Sequence, residues 1–218
     1  VDPERYAYLC KLDLDLDLPE RYFEGLIEKM EADPRLGTCS GKAYYIDGAG
    51  NRVWERMGDE MSVGASKFYR RACFEDIGGF VREVMWDGLD CHMVRWKGWR
   101  AQSFPGEALA FEHLRPMGSS QQNILVGRRR HGAGQWFMGS DPIYFTATAL
   151  WKMAPPPYIT GGLATLQGFI GAWLAGAKQY DDPELRAFIR RYQRRALLGG
   201  KARAVTLAEA EREGMLAG

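Results

Sequence analysis

The chain has few of the residues that would mark a zinc protein, a secreted protein or a nucleic-acid binder. Four cysteines (Cys10, Cys39, Cys73, Cys91) occur in 218 residues, and no two form a C-x-x-C pair. That spacing excludes a zinc ribbon and a redox dithiol and fits free thiols in a reducing cytoplasm. An excess of one charge is also missing: 29 Lys and Arg face 28 Asp and Glu, so no global field draws the chain to nucleic acid. The opening "VDPERYAYLCKL" has no initiator Met, no basic leader and no apolar signal core. It enters a strand almost at once, so the chain is expected to be part of something longer. Only one long uncharged run exists, "ITGGLATLQGFIGAWLAGA" at 159–177. Its nineteen residues approach the ~20 needed to span a bilayer, but five glycines, Thr and Gln make it a poor spanning helix. It reads as a helix packed on the domain or lying at a membrane surface.

What is present starts with "KLDLDLDLPERYF" at 11–23, where Asp13, Asp15 and Asp17 alternate with leucines. Period-two alternation predicts a strand over residues 6–18. Three like charges on one strand face repel, and a carboxylate is costly to bury without a partner. Either they sit on an exposed edge that deters aggregation, or they await a divalent cation, for which oxygen ligands are suited.

The chain then alternates elements. Pro19 suits a helix start, Tyr22, Phe23, Leu26, Ile27 and Met30 follow a helical stripe, and "DPRLG" stops it. "TCSGKAYYID" predicts a strand and "DGAGN" a hairpin turn. In "GASKFYRRACFEDIGGF" a short helix is expected over Phe68–Ile77, with Gly78 and Gly79 as its C-terminal caps. "WDGLDCHMVRWKGWR" (86–100) predicts a helix opened by Asp87, and "RAQSFP" and "EALAFEHLRP" predict strands. "GRRRHGAGQWF" reads as a basic, glycine-rich connector that could face a diphosphate or anionic lipid, although a solvated loop is the simpler reading. "APPPY" is a hard break, "DDPELRAFIRRYQRRALL" an amphipathic helix with an Asp-Asp-Pro start, and the last twenty residues a frayed polar tail.

Taken in order, these blocks resemble a family of enzymes. "YLCKLDLDLDLPERYFEGLIEKMEADPRLG" is similar to the D-x-D segment of family 2 glycosyltransferases. "SGKAYYID", "GASKFYRRACFEDIGGF", "WDGLDCHMVRWKGWR" and "SFPGEALAFEHLRPMG" follow in that family's order. The resemblance covers residues 6–118 well and the C-terminal helices more loosely. It implies an α/β fold: a partial GT-A (Rossmann-like) mixed sheet with flanking helices, followed by a helical C-terminal extension. The expected division is 1–118 for the catalytic part, 119–200 for a helical extension and 201–218 for a tail. It further implies a nucleotide-sugar donor, a saccharide or lipid-linked acceptor, Mn²⁺ or Mg²⁺, and inversion at the anomeric carbon.

Residue by residue, the resemblance places Asp13 toward the donor nucleotide and Asp15 on the metal, with Asp17 as a rim charge. Asp87 matches the position of the general base, with Asp90 as the alternative, because "WDGLD" departs from the commoner spelling. An N-cap role for Asp87 is the structural alternative. His113 would join the metal and Arg115 the donor phosphates. Gly64, Ala65 and Ser66 would let the acceptor approach the backbone, and Trp86 would stack on it. The Q-x-x-R-W hallmark of processive synthases is absent, which favours single addition.

The expected function is therefore metal-dependent, inverting transfer of a sugar in glycan or cell-surface polysaccharide synthesis. The expected place is the cytoplasm or the cytoplasmic face of a membrane, with peripheral membrane contact and no nucleic acid. Nucleobase-gripping strands are not recognisable before Tyr6, so the chain alone is expected to lack turnover and to self-associate. A non-catalytic membrane-surface or partner-binding module is the rival reading. A metal-dependent phosphohydrolase is a third, for which the acidic ligands are too few.

Overall fold

The computed structural model describes residues 5–55, 57–114, 123–154 and 157–216. In chain order the first elements are β1 (Tyr8–Leu12), β2 (Leu16–Asp17), α1 (Tyr22–Ala32), β3 (Leu36–Gly41), β4 (Ala43–Ile46) and β5 (Arg52–Trp54). Next come β6 (Ser66–Arg70), α2 (Arg71–Asp76), α3 (Trp86–Trp96), β7 (Arg100–Phe104) and β8 (Phe111–His113). The rest is helical: α4 (Ile124–Met138), α5 (Pro142–Trp151), α6 (Tyr158–Leu174), α7 (Pro183–Gly199) and α8 (Lys201–Leu216). The fold is thus α/β with two mixed sheets and flanking helices, followed by a helical extension, as the sequence predicts.

Two compact units divide the chain. The first comprises residues 1–80, 90–117 and 209–218, the second residues 81–89 and 118–208. In the first, one sheet has the order β1-β6-β3-β7 and the other β2-β8-β4-β5, and each contains one parallel pair, β3/β7 and β4/β8. Helix α1 buries Tyr22, Leu26 and Met30 in a core shared with Leu36, Cys39, Val63, Phe68 and Phe111. The Tyr22 hydroxyl accepts from Gly41 N at 2.9 Å and meets Ser66 Oγ at 3.0 Å, so the one polar group on that helix face has partners. All four cysteines are free, and Cys39, Cys73 and Cys91 are buried.

Four expectations need correction. The strand predicted over 6–18 is two strands, because the chain leaves the edge of one sheet at Leu12 and joins the edge of the other at Leu16. Leu14 is fully exposed in the link, so the alternation there does not bury the leucines. The helix predicted from Phe68 begins only at Arg71. Ser66–Arg70 is a central strand flanked by β1 and β3, and pairing on both sides outweighs its helical reading. The glycine-rich connector is helix α4, and the frayed tail is helix α8 with Ala204 and Ala208 buried.

The second unit explains the glycines of α4. A Cβ on Gly132 would stand 2.0 Å from Thr165 O, and one on Gly168 2.0 Å from Arg129 O. Helices α4 and α6 therefore approach backbone to backbone, which only glycine permits. Asp182 opens α7 as the sequence predicts, its side chain accepting from Leu185 N at 2.9 Å. Among the described residues no helix is long and apolar enough to cross a membrane.

Candidate functional site

The aspartate link lies where the two sheets of the first unit exchange the chain, and backbone bonds set its shape. Asp13 N donates to Ala65 O at 2.8 Å, and Leu114 N donates to Asp15 O at 2.9 Å. Lys11 bonds Gly64 O at 2.9 Å while its ammonium pairs with the Asp13 carboxylate. Gly64, Ala65 and Ser66 are all buried. In this chain the Gly64 and Ala65 carbonyls hold the aspartate link, and Ser66 contacts Tyr22. Asp17 is exposed on edge strand β2, opposite Glu112. A rim charge on an unprotected edge suits its solvent position.

Strand β8 brings His113 to the same place, because it pairs with β2 in the register Leu16↔His113. His113 Nε2 is 3.9 Å from Asp15 Oδ2, and Nδ1 is 3.1 Å from Glu55 Oε1. The His113 and Glu55 side chains are both nearly buried. With Nδ1 donating to Glu55, Nε2 would keep the lone pair that a metal takes. The 3.9 Å spacing exceeds a hydrogen bond, yet a small hard cation with ligands at about 2.0–2.2 Å could touch both atoms. The pair therefore fits a divalent ion. Among the described residues no group of three or more His, Cys, Asp and Glu forms a complete cage. Water and substrate oxygens would have to supply the other ligands.

Glu55 has no motif around it and lies 58 residues from His113 in sequence. Its position follows from the β4–β5 hairpin: β4 pairs with β8 on one side and β5 on the other, and Glu55 N bonds Ala43 O at 3.0 Å. Only knowledge of that pairing could have pointed to it. Lys42, also absent from the motif reading, is buried, with its ammonium 2.7 Å from Met57 O and 2.6 Å from Asp59 Oδ1.

The two candidate bases have different surroundings. Asp90 is 2% exposed, ion-paired with the Lys67 ammonium and hydrogen-bonded by the Tyr69 hydroxyl. Burial, then the Asp90 charge, pushes the Tyr69 phenol far above its ordinary value, so it stays a donor. Asp87 is half-buried in the first turn of α3 and accepts from Gly88 N at 3.0 Å. Met85, just before that turn, has φ 72°, a left-handed conformation unusual for a side chain of its kind. Its carbonyl accepts from Leu89 N at 2.9 Å, which starts the helix at Trp86. Trp86 and Asp87 belong to the second unit, whereas Asp90, Asp13, Asp15 and His113 belong to the first. Arg115 lies outside the described residues.

The sequence matches no protein-family model and no curated protein. Among solved structures it is similar to the mannosyltransferase PcManGT from Pyrobaculum calidifontis, determined in complex with GDP-Man and Mn²⁺. The two share 19% identity at a TM-score of 0.41. The similarity covers 94% of this chain and 61% of that one.

Proposed function

We propose that the chain is the metal- and acceptor-side part of an inverting family 2 glycosyltransferase, moving a sugar from a nucleoside diphosphate donor to a saccharide or lipid-linked acceptor. The observation that carries this reading is the convergence of Asp15, His113 and Glu55. The sequence blocks that resemble the family name both Asp15 and His113, and His113 Nε2 lies 3.9 Å from Asp15 while its Nδ1 lies 3.1 Å from Glu55. A divalent Mn²⁺ or Mg²⁺ held there would offset the charge of the donor diphosphate. Asp13, held by Lys11, would orient the nucleotide side of the donor.

Asp87 is the base. Asp90 is committed to Lys67 and Tyr69, and the resemblance assigns the role to Asp87, half-buried in the first turn of α3. As the acceptor oxygen bonds to the anomeric carbon, the bond from that carbon to the diphosphate oxygen breaks. The acceptor proton passes to the Asp87 carboxylate, and a nucleoside diphosphate leaves. Attack opposite the leaving group inverts the carbon. Arg115 would meet the donor phosphates, and Trp86 would offer its ring to the acceptor. The burial of Gly64, Ala65 and Ser66 argues against direct acceptor contact by those three residues.

Binding tests this without requiring turnover. Mn²⁺ should raise the affinity of the chain for a nucleoside diphosphate, read by titration calorimetry, and free Mn²⁺ should fall in electron paramagnetic resonance titrations. Asp15→Asn should remove most of that coupling, because an amide lacks the charge a hard cation needs. Glu55→Gln should weaken Mn²⁺ binding about 10–100-fold by loosening the imidazole. Undiminished Mn²⁺ coupling in Asp15→Asn would defeat the assignment.

A further inference from the structure

The second unit carries an apolar helix face edged by cations. On α6, Ile159, Leu163, Ile170 and Leu174 recur at four- and seven-residue intervals and so share one face. Ile159 is 61% exposed, Leu163 52% and Leu174 75%. The opposite face, with Gly161, Ala164, Thr165 and Phe169, is buried. Gln167 lies on the exposed stripe and accepts from Arg129 Nε at 2.7 Å, which places a guanidinium beside the apolar side chains. Arg128 Nε lies 3.9 Å from where a Cβ on Gly161 would stand, in the first turn of the same helix but on its buried side, beneath the stripe. Helix α5 ends on exposed Leu150 and Trp151, followed by half-buried Lys152.

The charge of this region is one-sided although that of the chain is balanced. Between residues 123 and 180 there are five Lys and Arg and a single acid, Asp141, and one of the five, Lys178, lies 3.9 Å from Asp181 just past that span. Asp141 caps α5 through Ile143 N and Tyr144 N and pairs with Arg194 at 2.6 Å, so it neutralises none of the others. Neither Arg128 nor Lys152 has an acidic partner among the described residues. Burial, then the nearby Arg128, pulls Lys152 down to about 8. Burial, then Lys152 and Arg128, pulls His131 down to about 3, and its Nδ1 is buried without a hydrogen-bond partner among the described residues. Arg128 and Lys152 thus crowd together around a neutral His131, with no acid paired to either among the described residues.

We propose that this face docks on an anionic lipid bilayer, with the α6 stripe entering the boundary between headgroups and acyl chains, Arg129 at its edge receiving a lipid phosphate, and Arg128 and Lys152 adding positive charge beneath it. Apolar side chains on one face, cations at its edge and tryptophan beside it are what the interface between lipid and water rewards. Long basic side chains can lay their stems on the apolar surface and keep their charge among headgroups. A second copy of the chain is the poorer occupant. A two-fold contact through this face would set one copy's cations against the other's. The proposal stands independently of the transferase reading.

Co-flotation of the 218-residue chain with vesicles tests it. Binding is expected to vesicles of phosphatidylcholine mixed with phosphatidylglycerol and not to phosphatidylcholine alone. Arg129→Gln should weaken that binding about fivefold, and Arg128→Gln and Lys152→Gln should each weaken it less. Leu163→Glu should abolish it without changing the circular dichroism spectrum, and Leu174→Glu, in the last turn, provides a second variant should the first fold poorly. Equal binding to neutral vesicles, or no binding to either, overturns the proposal. So does a dimer in sedimentation equilibrium that Leu163→Glu dissociates while vesicle binding is absent, because the face then belongs to a second copy.

Discussion

Asp87 and Asp90 lie three residues apart on α3, yet loss of their charge should have opposite consequences. Removing the Asp90 charge leaves the buried Lys67 ammonium without its counter-ion, a change that typically costs about 3–5 kcal/mol. Asp87→Asn touches a half-buried residue in the first turn of α3, where loss of its charge should cost far less. In the full-length enzyme Asp87→Asn should slow transfer by ~10²-fold or more with donor affinity kept. Asp90→Asn should instead lower the denaturation midpoint of the chain itself. Urea titration of both variants separates them: an Asp90→Asn chain as stable as the parent would return it to candidacy as the base. The sequence could not make this distinction. The two aspartates differ only in what faces them, and Lys67 and Tyr69 reach Asp90 through strand β6, which the sequence predicts as helix from Phe68 on. Asp15 and His113 were legible because ordered blocks name both. Glu55 was not, since its role comes from a strand pairing that leaves no local signature.

Among elements, those with a clean period or a strong cap were legible: α1, α3, α6, α7 and the β4–β5 hairpin around Asp47–Asn51. The misread ones share a cause, in that a long-range contact outweighs local propensity. Glycine ordinarily weakens a helix by roughly 0.5–1 kcal/mol relative to alanine, so "GRRRHGAGQWF" looks like a connector. In α4 that loss is offset by a helix crossing too close for any Cβ. Two substitutions on either side of this crossing make the point measurable. Gly171, on α6, has nothing within 4 Å of an added Cβ, so Gly171→Ala should stabilise by roughly 0.5–1 kcal/mol. Gly132→Ala would drive a methyl to 2.0 Å from Thr165 O and force the helices apart. It should destabilise by about 1–3 kcal/mol despite alanine's better propensity. Thermal unfolding of the two variants should therefore shift in opposite directions. A stabilised Gly132→Ala would mean that α4 and α6 do not pack this closely.

For the whole molecule, the division into two units does not follow the chain. The boundary passes through helices: α3 gives residues 86–89 to the second unit and 90–96 to the first, and α8 gives 201–208 to the second and 209–216 to the first. Unfolding either unit would strip turns from both shared helices, and short isolated helical pieces are not stable in water. One cooperative transition is therefore expected, with tryptophan fluorescence and far-UV circular dichroism giving the same midpoint. The end of the chain takes part. Within the first unit Glu209 bonds Arg100 at 3.2 Å and lies 3.7 Å from Arg35, Glu213 also pairs with Arg35, and the Arg212 guanidinium lies 4.1 Å over the Trp96 ring. Arg35 immediately precedes β3 and Arg100 begins β7, the parallel pair in that unit's first sheet. A part-exposed ion pair such as Arg100–Glu209 contributes only about 0.2–1 kcal/mol, and less as salt screens it. A double-mutant cycle with Arg100→Ala and Glu209→Ala should return a coupling in that range that declines with added salt. Deleting residues 209–218 should cost more than the cycle, since it also removes the Arg212 contact, and should lower both spectroscopic midpoints together. If the deletion moves one probe and leaves the other in place, the shared helices do not couple the units and the single-transition argument fails.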